Sequence, residues 1–179
     1  MNKLLITALL ASLLAACSST PTTDTGAPVE TRTPTGSQIT TVTAGNVDAT
    51  GLPRELTDPK SILSQRVVYF DLDKYDIKDE YKDLVAAHAR FLNANRQFKV
   101  LIQGHTDERG SREYNLSLGQ KRADAVRKSM QLLGVKEEQI ESVSLGKEKP
   151  AVEGHDEAAW SKNRRAHILY KGPTGTGEF

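Results

Sequence analysis

Asp107 and Arg122 are the two side chains whose types and spacing first suggest chemistry. Asp107 stands in Gln103-Gly104-His105-Thr106-Asp107-Glu108-Arg109-Gly110, directly after the apolar run Val100, Leu101, Ile102. Arg122 follows in an amphipathic stretch that also carries Asn115 and Leu118. A carboxylate on a strand-to-helix loop therefore meets a guanidinium about two turns inside the helix. A small zwitterion would satisfy both, with its ammonium on Asp107 and its carboxylate on Arg122. Asn115, Leu118 and Arg122 lie at i, i+3 and i+7, on one face that begins beside the Asp107 loop. From the residues alone Arg122 has two readings. It is either a ligand contact, or a solvated helix arginine or salt-bridge partner of Asp107.

Periodicity supplies the elements that must position these groups. Val67 to Phe70 read as a short strand. Asp76, Asp79 and Glu80 place negative charge at a helix start, and Tyr81, Leu84, Val85, His88, Phe91 and Leu92 recur at helical spacing. Lys99 to Thr106 read as a second strand. Leu116, Gly119, Ala123, Val126, Met130 and Leu133 form the sheet-facing stripe expected of the second helix, and Gly134 is its stop. Val143 and Leu145 alternate as a third strand, Ala158 to Arg165 read as a short helix, and His167 to Tyr170 as a last strand. The order β-α-β-α-β-α-β over residues 60–171 predicts an α/β sandwich with helices over one sheet.

The Asp107 stretch, with Asn115, Leu118 and Arg122, resembles the OmpA-like peptidoglycan-binding domain family, in its branch of Gram-negative peptidoglycan-associated lipoproteins. Three further segments carry the likeness: 68–77 (Val-Tyr-Phe-Asp-Leu-Asp-Lys-Tyr-Asp-Ile), 146–150 (Gly-Lys-Glu-Lys-Pro) and 154–166, which holds Trp160, Asn163, Arg164 and Arg165. The resemblance implies a mixed sheet. It also implies a ligand, the diaminopimelate residue of the peptidoglycan stem peptide, with Asp107 on its ammonium and Arg122 on its carboxylate. Leu118 would supply an apolar wall and Asn115 would set the loop and helix start. Leu72 and Asp73 match a Phe-Asp pair of the family, Leu keeping the apolar contact and losing the ring. Backbone amides of the Glu108–Ser111 loop would contribute. A further implied partner is the periplasmic propeller protein of the Tol system, competing with peptidoglycan for an overlapping face and linking the wall to outer-membrane constriction in division.

The amino terminus speaks to compartment. Lys3 precedes the short apolar run Leu4 to Leu14, and Leu14-Ala15-Ala16-Cys17 looks like a bacterial lipobox. Residues 1–16 are then expected to be a lipoprotein signal peptide, the alternative being a plain signal peptide with an incidental cysteine. Cys17 is the lipid attachment site, and Ser18 points to the outer membrane in lipoproteins of this kind. One cysteine makes no internal disulfide. Residues 17–59, rich in Thr, Ser, Gly and Pro and free of aromatic side chains, read as the acylated cysteine and a disordered tether. Residues 18–56 would span roughly 35 Å relaxed and roughly 130 Å stretched. A glycosylated stalk is the alternative for that stretch. Residues 172–179 read as a flexible tail.

Composition narrows the function. Loss of residues 1–16 removes Lys3 and no acid, leaving 23 basic against 23 acidic residues. No basic stripe marks a nucleic-acid footprint. A metal site is not expected: the domain has no cysteine, His88 sits in an apolar stripe, and Asp71, Asp73 and Asp76 lack the glycine turn and closing Glu of a calcium loop. No cofactor is expected. A cell-wall anchor without enzymatic activity competes with two other readings, a peptidoglycan hydrolase and a purely structural lipoprotein. The hydrolase would need a nucleophile, metal-bound water or paired carboxylates that the sequence does not display. Arg164 and Arg165 either add positive potential near the ligand or tie the short helix to the sheet. Trp160 is expected to anchor that helix.

Overall fold

The computed structural model of the chain describes residues 47–49 and 51–179. The expected signal peptide, Cys17 and most of the expected tether lie outside the described residues. Four strands form one mixed sheet: β1 (Val67–Tyr69), β2 (Lys99–His105), β3 (Ile140–Gly146) and β4 (Arg165–Lys171). Their order is β1-β4-β2-β3, with β4 antiparallel to both neighbours and β2 parallel to β3. Three helices connect them, α1 (Lys82–Ala94), α2 (Arg112–Leu132) and α3 (Glu157–Asn163). The alternation expected from the sequence and the mixed sheet are both present.

Strand alternation sends Val68, Val100, Ile102, Ala166, Ile168 and Tyr170 to one face, where they form a single core with residues of α1 and α2. From α1 come Leu84, Val85, Phe91 and Leu92. His88 is buried among them, its Nδ1 2.8 Å from the Tyr170 hydroxyl and its Nε2 2.8 Å from the Gln65 carbonyl. Burial lowers its pKa to about 4, so at neutral pH the uncharged ring donates from Nε2 and accepts at Nδ1.

The α2 stripe differs from the expected one at both ends. Leu116 and Leu133 are exposed, and the buried face runs through Asn115, Leu118, Gly119, Arg122, Ala123, Val126 and Met130. Leu116 falls one position, about 100° of helix rotation, off that line. Leu133 caps the end rather than extending the stripe. The helix stops as expected at Gly134, whose φ is 93°. Gly134 N–H bonds to the Gln131 carbonyl and Val135 N–H to the Met130 carbonyl, a Schellman closure that also brings Val135 into the core. In β3 the buried residues are Ile140, Ser144 and Gly146, so the Val143/Leu145 alternation marks the outer face instead.

The folded body also exceeds its expected limits of 60 and 171. Leu52 and Leu56 are each 1% exposed and belong to the core. At the other end the chain folds back: Glu178 N–H bonds to the Tyr170 carbonyl, and the Glu178 carboxylate accepts from Tyr170 N–H and pairs with buried Arg66. The polar composition of both segments hides these few anchoring residues.

One contact sets the height of α2 above the sheet. A Cβ on Gly104 of β2 would stand 1.8 Å from the Gly119 carbonyl oxygen, and a Cβ on Gly119 would stand 2.3 Å from Ser144 Oγ. Two glycines facing each other let the helix backbone lie directly on the β2/β3 seam. Arg122, three residues on, is thereby delivered to the end of β2.

Candidate functional site

Three segments converge at the C-terminal end of β2. They are the 106–110 loop, the first turns of α2, and the 71–74 loop after β1. Between them lies a cavity of about 290 Å³. All six residues singled out as ligand contacts, Leu72, Asp73, Asp107, Asn115, Leu118 and Arg122, line it. Thr106, Arg109, Gly110 and Tyr114 complete the wall.

Arg122 forms the floor and is 0% exposed. The solvated-helix reading is therefore wrong, and so is the salt bridge to Asp107, since no carboxylate lies within ion-pair distance of Arg122 among the described residues. Its guanidinium is held by backbone carbonyls: Nε to Lys74 at 2.8 Å, Nη1 to His105 at 2.8 Å and Nη2 to Asp71 at 3.1 Å. Three of five N–H donors are thus used. Burial lowers its pKa to about 10, against the raising influence of Asp107, so it stays charged at neutral pH. Taking a charge out of water costs several kcal/mol in a protein interior, and Arg122 offsets that cost with carbonyls and the nearby Asp107 rather than with a direct ion pair. Such a group beside an open cavity is suited to receive an anion.

Asp107 is buried and richly paired. Arg109 donates to Oδ1 from its backbone N–H (3.1 Å) and Nε (3.2 Å) and to Oδ2 from Nη2 (2.7 Å), while Arg164 Nη1 reaches Oδ2 at 3.3 Å. Burial alone would raise this carboxyl; the hydrogen bonds and charge of Arg109 outweigh it and hold the pKa below the usual range. Asp107 is accordingly a carboxylate.

The remaining residues fix the walls. Asn115 Nδ2 donates to the Arg109 carbonyl at 2.8 Å, which ties the loop to α2. Ser111 caps the helix by accepting from Tyr114 N–H at 3.1 Å. Asp73 has φ 56°, a left-handed conformation that Asp tolerates better than most residues. The Tyr114 hydroxyl donates to Asp73 Oδ1, bridging the two rims of the cavity. Leu72 is 56% exposed at the mouth, and Leu118 is buried in the wall.

The Asn163-Arg164-Arg165 run divides. Asn163 binds the backbone of Ala151 and Val152, and Arg165 the carbonyls of Asn163 and Lys149, so both are structural. Arg164 links several parts of the fold: Nε to the Phe70 carbonyl, Nη2 to Glu157, and Nη1 to Asp107 in the cavity wall. Trp160 does more than anchor its helix. Its Nε1 donates to Glu108 at 2.9 Å, and the Arg109 guanidinium stacks 4.1 Å over its ring. Residue reasoning missed Arg109 and Tyr114 as wall residues. Arg109 was within the motif, and a donor two residues after a loop Asp is an Asx-turn signal. Tyr114 faces the cavity only because of the helix phase, which the apolar pattern alone misplaced. Among the described residues, no cluster of three or more His, Cys, Asp or Glu could hold a metal ion.

Comparison with known proteins places the fold in a family. A family model described as "OmpA family" matches residues 69–164, more than half of the chain. The peptidoglycan-associated lipoprotein of Pasteurella multocida (strain Pm70) is 56% identical over 110 residues, which cover 60% of this chain and 73% of that protein. The peptidoglycan-associated lipoprotein of Legionella pneumophila is 39% identical over 162 residues, 90% of each chain. The crystal structure of the peptidoglycan-associated lipoprotein from Burkholderia pseudomallei superposes with a TM-score of 0.64 at 56% identity, over 65% of this chain and 99% of that one. The C-terminal domain of Helicobacter pylori MotB, 19% identical with a TM-score of 0.56 over 60% of this chain and 84% of that one, shares the fold. The chain belongs to the OmpA family.

Proposed function

We propose that the protein is an outer-membrane lipoprotein that grips peptidoglycan without enzymatic activity, holding the diaminopimelate end of the stem peptide. The observation that carries this reading is the buried Arg122, bonded to carbonyls rather than to a carboxylate, on the floor of a cavity whose wall also presents the Asp107 carboxylate. The side-chain end of diaminopimelate has one ammonium and one carboxylate. The cavity lining offers Arg109 and Arg122 against Asp73 and Asp107, a neutral set matched to a zwitterion. An arginine fork fits a carboxylate in two parallel hydrogen bonds. Relatives named peptidoglycan-associated lipoproteins support the polymer as ligand.

A hydrolase reading has less support. The cavity lining contains no Ser, Cys or His, and the buried Thr106 hydroxyl has no hydrogen-bonding base. The family resemblance supports the Tol propeller protein as a second partner on an overlapping face, and a role in outer-membrane constriction during division. Modest affinity per domain suffices, because tethering confines many copies near the wall.

Cys17→Ala tests the anchor. Loss of the acyl site should release the chain from the outer-membrane fraction once the wall is digested, while isolated wall still captures it. Continued fractionation of Cys17→Ala with wall-free outer membrane would contradict the lipid anchor. Failure of isolated wall to capture it would contradict the wall grip.

A further inference from the structure

Asp107 is saturated in this structure. A carboxylate has about four acceptor sites, and four donors fill them, three from Arg109 and one from Arg164. An incoming ammonium finds no free edge unless a donor leaves. Arg164 is locked, with its side chain 7% exposed and bonded to Phe70 and Glu157. The Arg109 backbone N–H is fixed by the loop that Asn115 braces. The Arg109 guanidinium is different. Its side chain is 35% exposed, and its hydrogen bonds among the described residues go to Asp107 alone. A second resting place is already prepared: the Trp160 ring lies 4.1 Å beneath it and Glu157 Oε2 is 3.9 Å from Nη2.

We propose that Arg109 occupies the ammonium subsite in the free protein, as an internal stand-in for the ligand, and that a diaminopimelate-type zwitterion displaces its guanidinium from Asp107 onto Trp160 and Glu157. This rests on the ligand reading above. The displaced pair is a bidentate arginine–carboxylate contact, so displacement sets a threshold. A lone amine must break it with only Asp107 in return. A zwitterion gains Asp107 and Arg122 together, because both line the same cavity. Arg109 thereby acts as a specificity-determining residue that screens out simple amines.

The test is calorimetric titration of the full chain, in detergent, with a diaminopimelate stem peptide bearing a free side-chain amine and with the same peptide acetylated at that amine. Arg109→Gln should bind the free-amine peptide about tenfold more tightly, the scale of one charged hydrogen-bond pair no longer broken on binding. Arg109→Lys should gain about threefold, because a point charge is held less firmly than a fork. That gain cannot come from altered net charge, since Lys preserves it. The acetylated peptide should gain nothing with either variant. If wild type binds the free-amine peptide and neither variant binds it more tightly, displacement is overturned and the ligand reading stands. If no form of the protein binds it, both fall.

Discussion

Gly104→Ala is expected to destabilise the domain by about 3 kcal/mol or more, at the upper end for overpacked sites. The new methyl would sit 1.8 Å from the Gly119 carbonyl oxygen and 3.2 Å from Ala123 Cβ, both on α2. Backbone cannot rotate away as a side-chain tip can, so α2 must lift off the sheet. Lifting α2 also withdraws Arg122 from the His105, Asp71 and Lys74 carbonyls, and stability and binding should fall together. Urea unfolding checks this: the midpoint should drop with the slope unchanged. An unaltered midpoint would mean that the helix does not rest on Gly104 as described.

Arg122→Lys should fail despite equal charge. The guanidinium satisfies three carbonyls in fixed directions; one ammonium on a flexible stem cannot reach all three and still face the cavity. Each carbonyl left unpaired costs roughly 1–3 kcal/mol, so folding stability should drop by about that amount. Loss of the two parallel bonds to a ligand carboxylate should remove a further roughly 1–2 kcal/mol from binding. Unchanged affinity for wall fragments in a folded Arg122→Lys protein would show that Arg122 is structural alone.

These expectations show what the sequence carried and what it withheld. Element order was legible because β2 and α1 have clean apolar periods, and the α2 stop because a glycine ends the apolar stripe. The six residues that line the cavity were legible from two segments, Asp107, Asn115, Leu118 and Arg122 from one motif and its following helix, Leu72 and Asp73 from the stretch after β1. The phase of α2 was misread since its buried face is partly polar. Asn115 and Arg122 occupy positions that a hydrophobicity pattern assigns to water, so Leu116 and Leu133 were drawn in instead. Leu52, Leu56 and Glu178 were lost in polar surroundings, because one or two anchors per segment leave no period. The pairing of Asp107 with Arg109 and Arg164 was also beyond reach. Arg164 is 57 residues away in sequence, and only the folded sheet end brings it to Asp107.

In the proposed function Asp107 receives the ammonium of a diaminopimelate side chain. The most direct measurement is a double cycle: stem-peptide affinity of wild type and Asp107→Asn, each with the peptide amine free and acetylated. Asp107→Asn keeps the shape and removes the charge, and acetylation removes the partner charge. Each change should weaken binding on its own. The two together should cost little more than either alone, with a coupling of about 1–3 kcal/mol for a partly desolvated charge pair. Losses that simply add would show that Asp107 does not touch the amine, and would leave it only the role of holding Arg109 and Arg164 in place.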